Sequence, residues 1–221
     1  MHRHSETEEN YLKAIFKLSD GGAMVSTTQL AKDLSTTPAS VTDMLKRLSE
    51  KALVEYLPYH GVKLMPKGES VALGIVRKHR LWELFLVNVL NFTWDNVHDT
   101  AEQLEHVDSP LLIDKIDEFM GYPKFDPHGD PIPSKEGKIE HMNAVPLAEC
   151  STGETVSVVG VSEHASDFLK YLDKVGIRLG INIMIEDQID FDKSIILKIE
   201  RNTIMLSGEF AKQIKVLKID S

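Results

Sequence analysis

The sequence has one cysteine among 221 residues, Cys150. A single thiol excludes a disulfide framework and a thiolate zinc site, so any metal held by this chain must be held by nitrogen and oxygen. Cys150 itself is expected to be buried and idle. No apolar run approaches the roughly 18 residues that span a bilayer. The N-terminal "MHRHSETEEN" is polar and acidic rather than signal-like, so the expected location is cytoplasmic, with no membrane partner. HExxH, P-loop and GxSxG motifs are absent. None of the nine histidines follows a glutamate by three residues, the spacing that paired di-iron helices use. These absences argue against an enzyme, although a carboxylate/histidine metalloenzyme or a metal-buffering protein stays open as the other class.

Positive charge is also scarce, with a net charge of −9, which taken alone argues against nucleic acid. The distribution reopens the question. Residues 1–80 hold 12 Lys/Arg against 9 Asp/Glu, for +3, whereas residues 81–221 hold 13 against 25, for −12. A mildly basic N-terminal third on an acidic body suits a DNA-contacting module joined to something that holds cations.

What is present supports that division. Hydrophobic residues make up 42% of the chain, ample for real cores. Ser5 with Glu8, and Ser26 with Gln29, are capping-box signatures ahead of helical apolar spacing. The first predicts a helix to about Ser19, followed by a "DGG" turn. Thr37 as cap and Pro38 at the first helical position open a third helix with Val41, Leu45 and Leu48 inside. "LVEYLPYHGVKLMPKG" then reads as a two-stranded hairpin. This is the element order of a winged helix-turn-helix domain, whose third helix enters the major groove. Its candidate DNA-binding residues are Thr37, Ala39, Ser40, Thr42, Asp43, Lys46 and Arg47: small polar groups can reach base edges, and the two cations suit phosphates. An ordinary helical domain with a soluble face has the same periodicity.

Glu69–Leu90 reads as a long, mostly apolar helix expected to build a dimer interface. Thr93 is expected to cap the next helix, and Ser109, Pro110 and Gly121 bound another. A Pro- and Gly-rich connector, "GYPKFDPHGDPIPSKEG", precedes five strand-like segments interrupted by a helix near Ala165–Val175, together suggesting a small β-barrel. On one helical span, His98, Glu102, Glu105 and His106 share an arc of about 100°. His79 and Glu83 have the same i,i+4 spacing on the preceding helix. Such residues are common on solvated faces. Three His/Glu pairs on adjacent helices nevertheless point to a cation, because clustered carboxylates repel without one. Their donors suit Mn²⁺, Fe²⁺, Co²⁺, Ni²⁺ or Zn²⁺, with oxygen favouring the harder ions.

The chain resembles the diphtheria toxin repressor family of metal-dependent regulators, particularly its manganese-responsive members. "EENYLKAIFKL", "TTPASVTDMLKRL", "VRKHRLWELFL", "VHDTAEQLEHV" and "DPHGDPIP" carry the resemblance, which covers nearly the whole chain. It implies a mainly α protein with a small β domain. Residues 1–72 would be a winged helix-turn-helix domain, 73–141 a helical metal-binding and dimerisation domain, and 142–221 an SH3-like, FeoA-like β-barrel. It further implies a homodimer that binds a palindromic double-stranded DNA operator and represses metal-uptake genes. By position, the primary metal site would be Asn10, Glu102, Glu105 and His106. The ancillary site would be His79, Glu83 and His98, with His164 and Asp167 from the C-terminal domain. Glu102 stands where iron-type members have a sulfur ligand, so the implied cofactor is Mn(II), with Fe(II) as the alternative. Asn10 replaces the usual aspartate of manganese-type members, and Lys13 replaces a carboxylate of a binuclear subclass. His128, in the connector motif, is expected to be structural.

Overall fold

Local side-chain chemistry starts each helix of the N-terminal third. In the computed structural model, which describes residues 4–19 and 22–219, Ser5 caps α1 (Glu6–Leu18). Its Oγ accepts from the Glu8 amide at 3.2 Å, and the Glu8 carboxylate accepts from the Ser5 amide at 3.3 Å. Ser26 and Gln29 repeat the box at α2 (Thr27–Asp33). Thr37 caps α3 (Pro38–Glu50), where Pro38 occupies a position whose N–H needs no helical partner. Asp20 and Gly21 of the expected turn lie outside the described residues.

Strands β1 (Val54–Leu57) and β2 (Gly61–Leu64) form the antiparallel wing, and Val25 joins β2 through two backbone hydrogen bonds with Val62. Gly61 has φ +117°, and a Cβ there would lie 2.6 Å from the Val25 carbonyl oxygen. Only glycine fits that turn. Leu12, Ile15, Leu30, Val41, Leu45, Leu48 and Leu53 make the winged-helix core.

The chain divides into two compact units. One holds Met1–His79, Gln103–Pro110 and Pro133–Ile139; the other holds Arg80–Glu102, Leu111–Ile132 and Glu140–Ser221. Helix α4 (Pro66–Leu90) starts three residues before the expected Glu69. None of the helices among the described residues is long and apolar enough to cross a membrane.

The next helix corrects the sequence reading. Thr93 does not cap it: the Thr93 amide donates to Asn96 Oδ1 and the Asn96 amide to the Thr93 carbonyl, closing a turn instead. Helix α5 spans only His98–Leu104, and Glu105 and His106 lie in the turn beyond it. Pro110 opens α6 (Pro110–Phe119), and a proline disfavours helical backbone just before it. The 98–106 span is helical only as far as Leu104. Gly121, at φ +77°, ends α6 as expected.

In the second unit, β3 (Val145–Pro146), a 3-10 turn (Leu147–Glu149), β4 (Thr155–Val161), α7 (Ser166–Val175), β5 (Asn182–Gln188), β6 (Ile195–Ile199), β7 (Asn202–Leu206), α8 (Gly208–Lys212) and β8 (Ile214–Lys218) follow in order. The sheet runs β3-β8-β4-β5-β6-β7 with antiparallel pairing throughout. Register shifts at Val158/Gly160 and Ile185/Asp187 bend it. Alternating Val156, Val158, Ile183, Ile185 and Leu197 meet Phe168, Leu169 and Leu172 of α7 in one core. Cys150 is buried there, and burial raises its thiol pKa.

Glu8 also pairs with Lys51 of the α3 C-cap at 2.5 Å. Burial opposes the charge on Glu8, but the Lys51 and Ser5 hydrogen bonds hold its pKa below the ordinary 4.5. A lowered carboxylate pKa contributes stability above the unfolded value that is lost as pH falls through the folded one. Glu8→Gln is expected to cost about 1 kcal/mol at pH 7. In chemical denaturation the gap from wild type should close below pH 4.5.

Candidate functional site

The outward face of α3 is open to solvent. Ala39, Ser40, Asp43, Lys46 and Arg47 are exposed. Thr37 and Thr42 are committed locally: Thr37 Oγ1 accepts from the Ser40 amide at 3.2 Å, and Thr42 Oγ1 donates to the Pro38 carbonyl at 2.9 Å. Tyr59, fully exposed at the wing tip, is a candidate contact that periodicity did not single out.

In the same unit a buried carboxylate organises the metal-type residues. Glu105 is 0% exposed, and its two oxygens lie 2.7 and 2.9 Å from Lys13 Nζ of α1. His79 Nδ1 of α4 lies 2.6 Å from Glu105 Oε2. Burial pushes the Glu105 pKa up, but the His79 hydrogen bond and the Lys13 ammonium outweigh it and hold the carboxylate ionised. His106 Nδ1 is 2.7 Å from Glu9 Oε2, and His106 Nε2 is 3.7 Å from Glu105 Oε1. Asn10, one residue after Glu9, instead lines a groove of about 470 Å³ with Thr7, Ser40, Asp43, Met44 and Arg47.

The second unit gathers the other expected ligands. Glu83 Oε1 lies 3.2 Å from His98 Nδ1, and Glu102 Oε1 lies 3.5 Å from His98 Nε2. Hydrogen bonds that His98 donates to Glu102 and Glu83 push its pKa up to about 9. Glu102 is thus brought to His98, and its side chain is half exposed. Glu83 also joins a cluster with Asp126 and His128. All three are buried, and their ligand-type atoms lie within 4.8 Å of one another.

His128, expected to be structural, is buried in this cluster. Its Nε2 donates to the Trp94 carbonyl at 2.8 Å, and its buried Nδ1 has no hydrogen-bond partner among the described residues. The nearest carboxylate oxygen to Nδ1 is Glu83 Oε2 at 3.6 Å. A backbone carbonyl on one ring nitrogen leaves the other to face a ligand, as in metal-bound imidazoles. Burial opposes a charge on His128, but Glu83 and Asp126 push its pKa to about 9. Burial, followed by the Glu83 and Asp130 charges, raises Asp126 to about 7. The His164 ring centroid lies 4.8 Å from that of His128, and its Nε2 lies 3.6 Å from Asp130 Oδ2. Asp167 sits exposed in the first turn of α7. An excess of buried acid beside an imidazole with an open nitrogen fits a divalent cation, and the donors are all oxygen and nitrogen.

Comparison with known proteins places the chain as a whole. Residues 4–62 match the family described as "Iron dependent repressor, N-terminal DNA binding domain", and 65–134 match "Iron dependent repressor, metal binding and dimerisation domain". Residues 145–218 match the FeoA domain. The iron-dependent repressor IdeR of Mycobacterium tuberculosis (strain ATCC 25618 / H37Rv) is 27% identical, covering 97% of this chain and 98% of that protein. A solved manganese-dependent transcriptional repressor in complex with manganese is 34% identical. The match covers 96% of this chain and all of that one, with a TM-score of 0.84. The manganese regulator SloR is 30% identical over 96% of this chain and 98% of its own, with a TM-score of 0.75.

The chain belongs to the diphtheria toxin repressor family. It is a metal-dependent transcriptional repressor rather than an enzyme, with DNA-binding and dimerisation domains and an SH3-like FeoA domain. The sequence reading of this repressor took His128 as structural and did not single out Asp126, because a Pro/Gly-rich connector has no periodicity to read. The available signal was the "DPHGD" motif, acid and imidazole two residues apart.

Asp126 Oδ1 accepts from the His128 and Asp130 amides at 2.8 and 3.0 Å, and an asparagine Oδ1 would keep both bonds. Asp126→Asn should therefore leave the metal-free protein within about 1 kcal/mol of wild type. Mn²⁺ at a hundredfold excess over Kd should stabilise the wild type by about 2.7 kcal/mol. The variant should lose at least half of that increment in a thermal melt.

Proposed function

We propose that the chain is a Mn(II)-responsive repressor that acts in the cytoplasm, binding a palindromic double-stranded operator as a homodimer to control metal-uptake genes. The observation that carries this reading is the donor set. Glu102, Glu105 and His106, with Asn10, offer oxygen and imidazole nitrogen, whereas the one sulfur nucleophile, Cys150, is buried in the β core. Hard donors favour Mn(II) over softer ions. The 34% identical manganese-bound neighbour supports the same ion. Fe(II) is the second reading, favoured by the iron-dependent curated relatives.

In this proposal Asn10, Glu102, Glu105 and His106 form the primary site. His79, Glu83, His98, His164 and Asp167 form the ancillary one, which Asp126 and His128 join through Glu83. The division into residues 1–72, 73–141 and 142–221 assigns α1 to the DNA-binding domain and Glu105 to the metal-binding domain. The ion would supply the second positive charge that these carboxylates need. Lys13 neutralises Glu105 from α1, so an incoming cation competes with an ammonium that belongs to the DNA-binding domain. Helix α1 shares its core with α3 through Leu12, Ile15, Val41 and Leu45, so a change in how α1 is held reaches the recognition helix. Metal and operator must then strengthen each other's binding by the same factor.

Fluorescence anisotropy on the gene's own upstream region, with and without each metal, tests the proposal. Mn²⁺ should raise operator affinity at least tenfold, and Glu105→Ala or His106→Ala should abolish the gain. Equal DNA binding with and without metal sinks the switch, and a response to Fe²⁺ alone selects the second reading. Arg47→Ala should reduce the salt dependence of binding by about one ion, as loss of a phosphate contact does.

A further inference from the structure

We infer that Glu9 is the positioning residue for His106 at the Glu105 centre, a role that rests on the metal-site reading above. Adjacent helical residues point about 100° apart, and α1 separates this pair sharply. Asn10 lines the groove with α3 residues, while Glu9 Oε2 lies 2.7 Å from His106 Nδ1. Both partners are largely buried, with side-chain exposures of 19% and 11%, so the contact is shielded from water. Nδ1–H donates to Glu9, which leaves the lone pair on Nε2. That nitrogen faces Glu105 Oε1 at 3.7 Å, too long for a hydrogen bond and open to a shared ligand. A carboxylate that holds one imidazole nitrogen fixes the tautomer and ring orientation and raises the basicity of the other.

The arrangement places the charge that residue 10 lacks one position earlier. It also makes the readiness of His106 depend on α1, the first helix of the winged-helix core. Glu9 thereby couples the position of α1 to the ion by a hydrogen bond rather than by ligation.

Mn²⁺ titration by calorimetry on the full chain tests this. The binding step that Glu105→Ala removes defines the centre. Within that step, Glu9→Ala should raise Kd by about 10- to 100-fold. Glu9→Gln should recover part of the loss, because its Oε1 still accepts the Nδ1–H, and Glu6→Ala, at an exposed acid of the same helix, should stay within about twofold of wild type. With Co²⁺ as a spectroscopic probe, Glu9→Ala should keep the ion count and band positions, whereas His106→Ala should change them. Metal-free melting temperatures separate loss of fold from loss of affinity. Wild-type affinity in Glu9→Ala, an equal loss in Glu6→Ala, or altered Co²⁺ bands in Glu9→Ala overturns the inference. If Glu105→Ala removes no Mn²⁺ step, the metal-site reading itself fails, a different result from wild-type affinity in Glu9→Ala.

Discussion

A carboxylate with no access to water cannot stay ionised alone, and Glu105 is 0% exposed. Its charge is met by Lys13 from α1 and His79 from α4, so three segments distant in sequence converge on one residue. Removing one partner of such a buried pair typically costs about 3–5 kcal/mol, because the other charge is left stranded. The constraint is structural, and in the proposed metal-site reading it is functional as well. The same buried oxygens that require compensation are the ones a divalent ion would use, and the protein supplies its own monovalent stand-in from the DNA-binding side.

The second unit solves a related problem differently. Burial first, and then the Glu83 and Asp130 charges, work against an ionised Asp126, and the cationic partners Arg80 and His128 offset them only in part. Asp126 remains raised to about 7 and His128 to about 9. Where the Glu105 cluster is compensated by an ammonium, this one carries buried acid and an imidazole nitrogen without a hydrogen-bond partner among the described residues. On the proposed reading, the two clusters would differ in what an ion displaces: a tethered lysine at one, a proton at the other.

Much of the fold was legible because its instructions are local. Ser5/Glu8, Ser26/Gln29 and Thr37/Pro38 name their helix starts, and each cap forms as its residues direct. Alternation named β4 to β8, whereas the two-residue β3 and the five-residue α8 are too short to show a period. The expected helix through His106 failed at both ends. Thr93 turned to Asn96, and the chain left the helix at Leu104 to bury Glu105. Periodicity records which residues could share a face, but it does not record where burial of a charge outweighs one more helical turn.

The sequence by itself determined the winged-helix element order, the outward face of α3, the β domain and the supply of oxygen and imidazole donors. These follow from spacing, capping and composition, which act within a few residues of one another. Only the tertiary structure decided that Lys13 occupies Glu105, that Glu9 rather than its neighbour Asn10 meets His106, and that His128 joins Glu83. Those pairings link residues 92, 97 and 45 positions apart. Adjacent residues of like polarity cannot be told apart until packing fixes which one faces the buried charge.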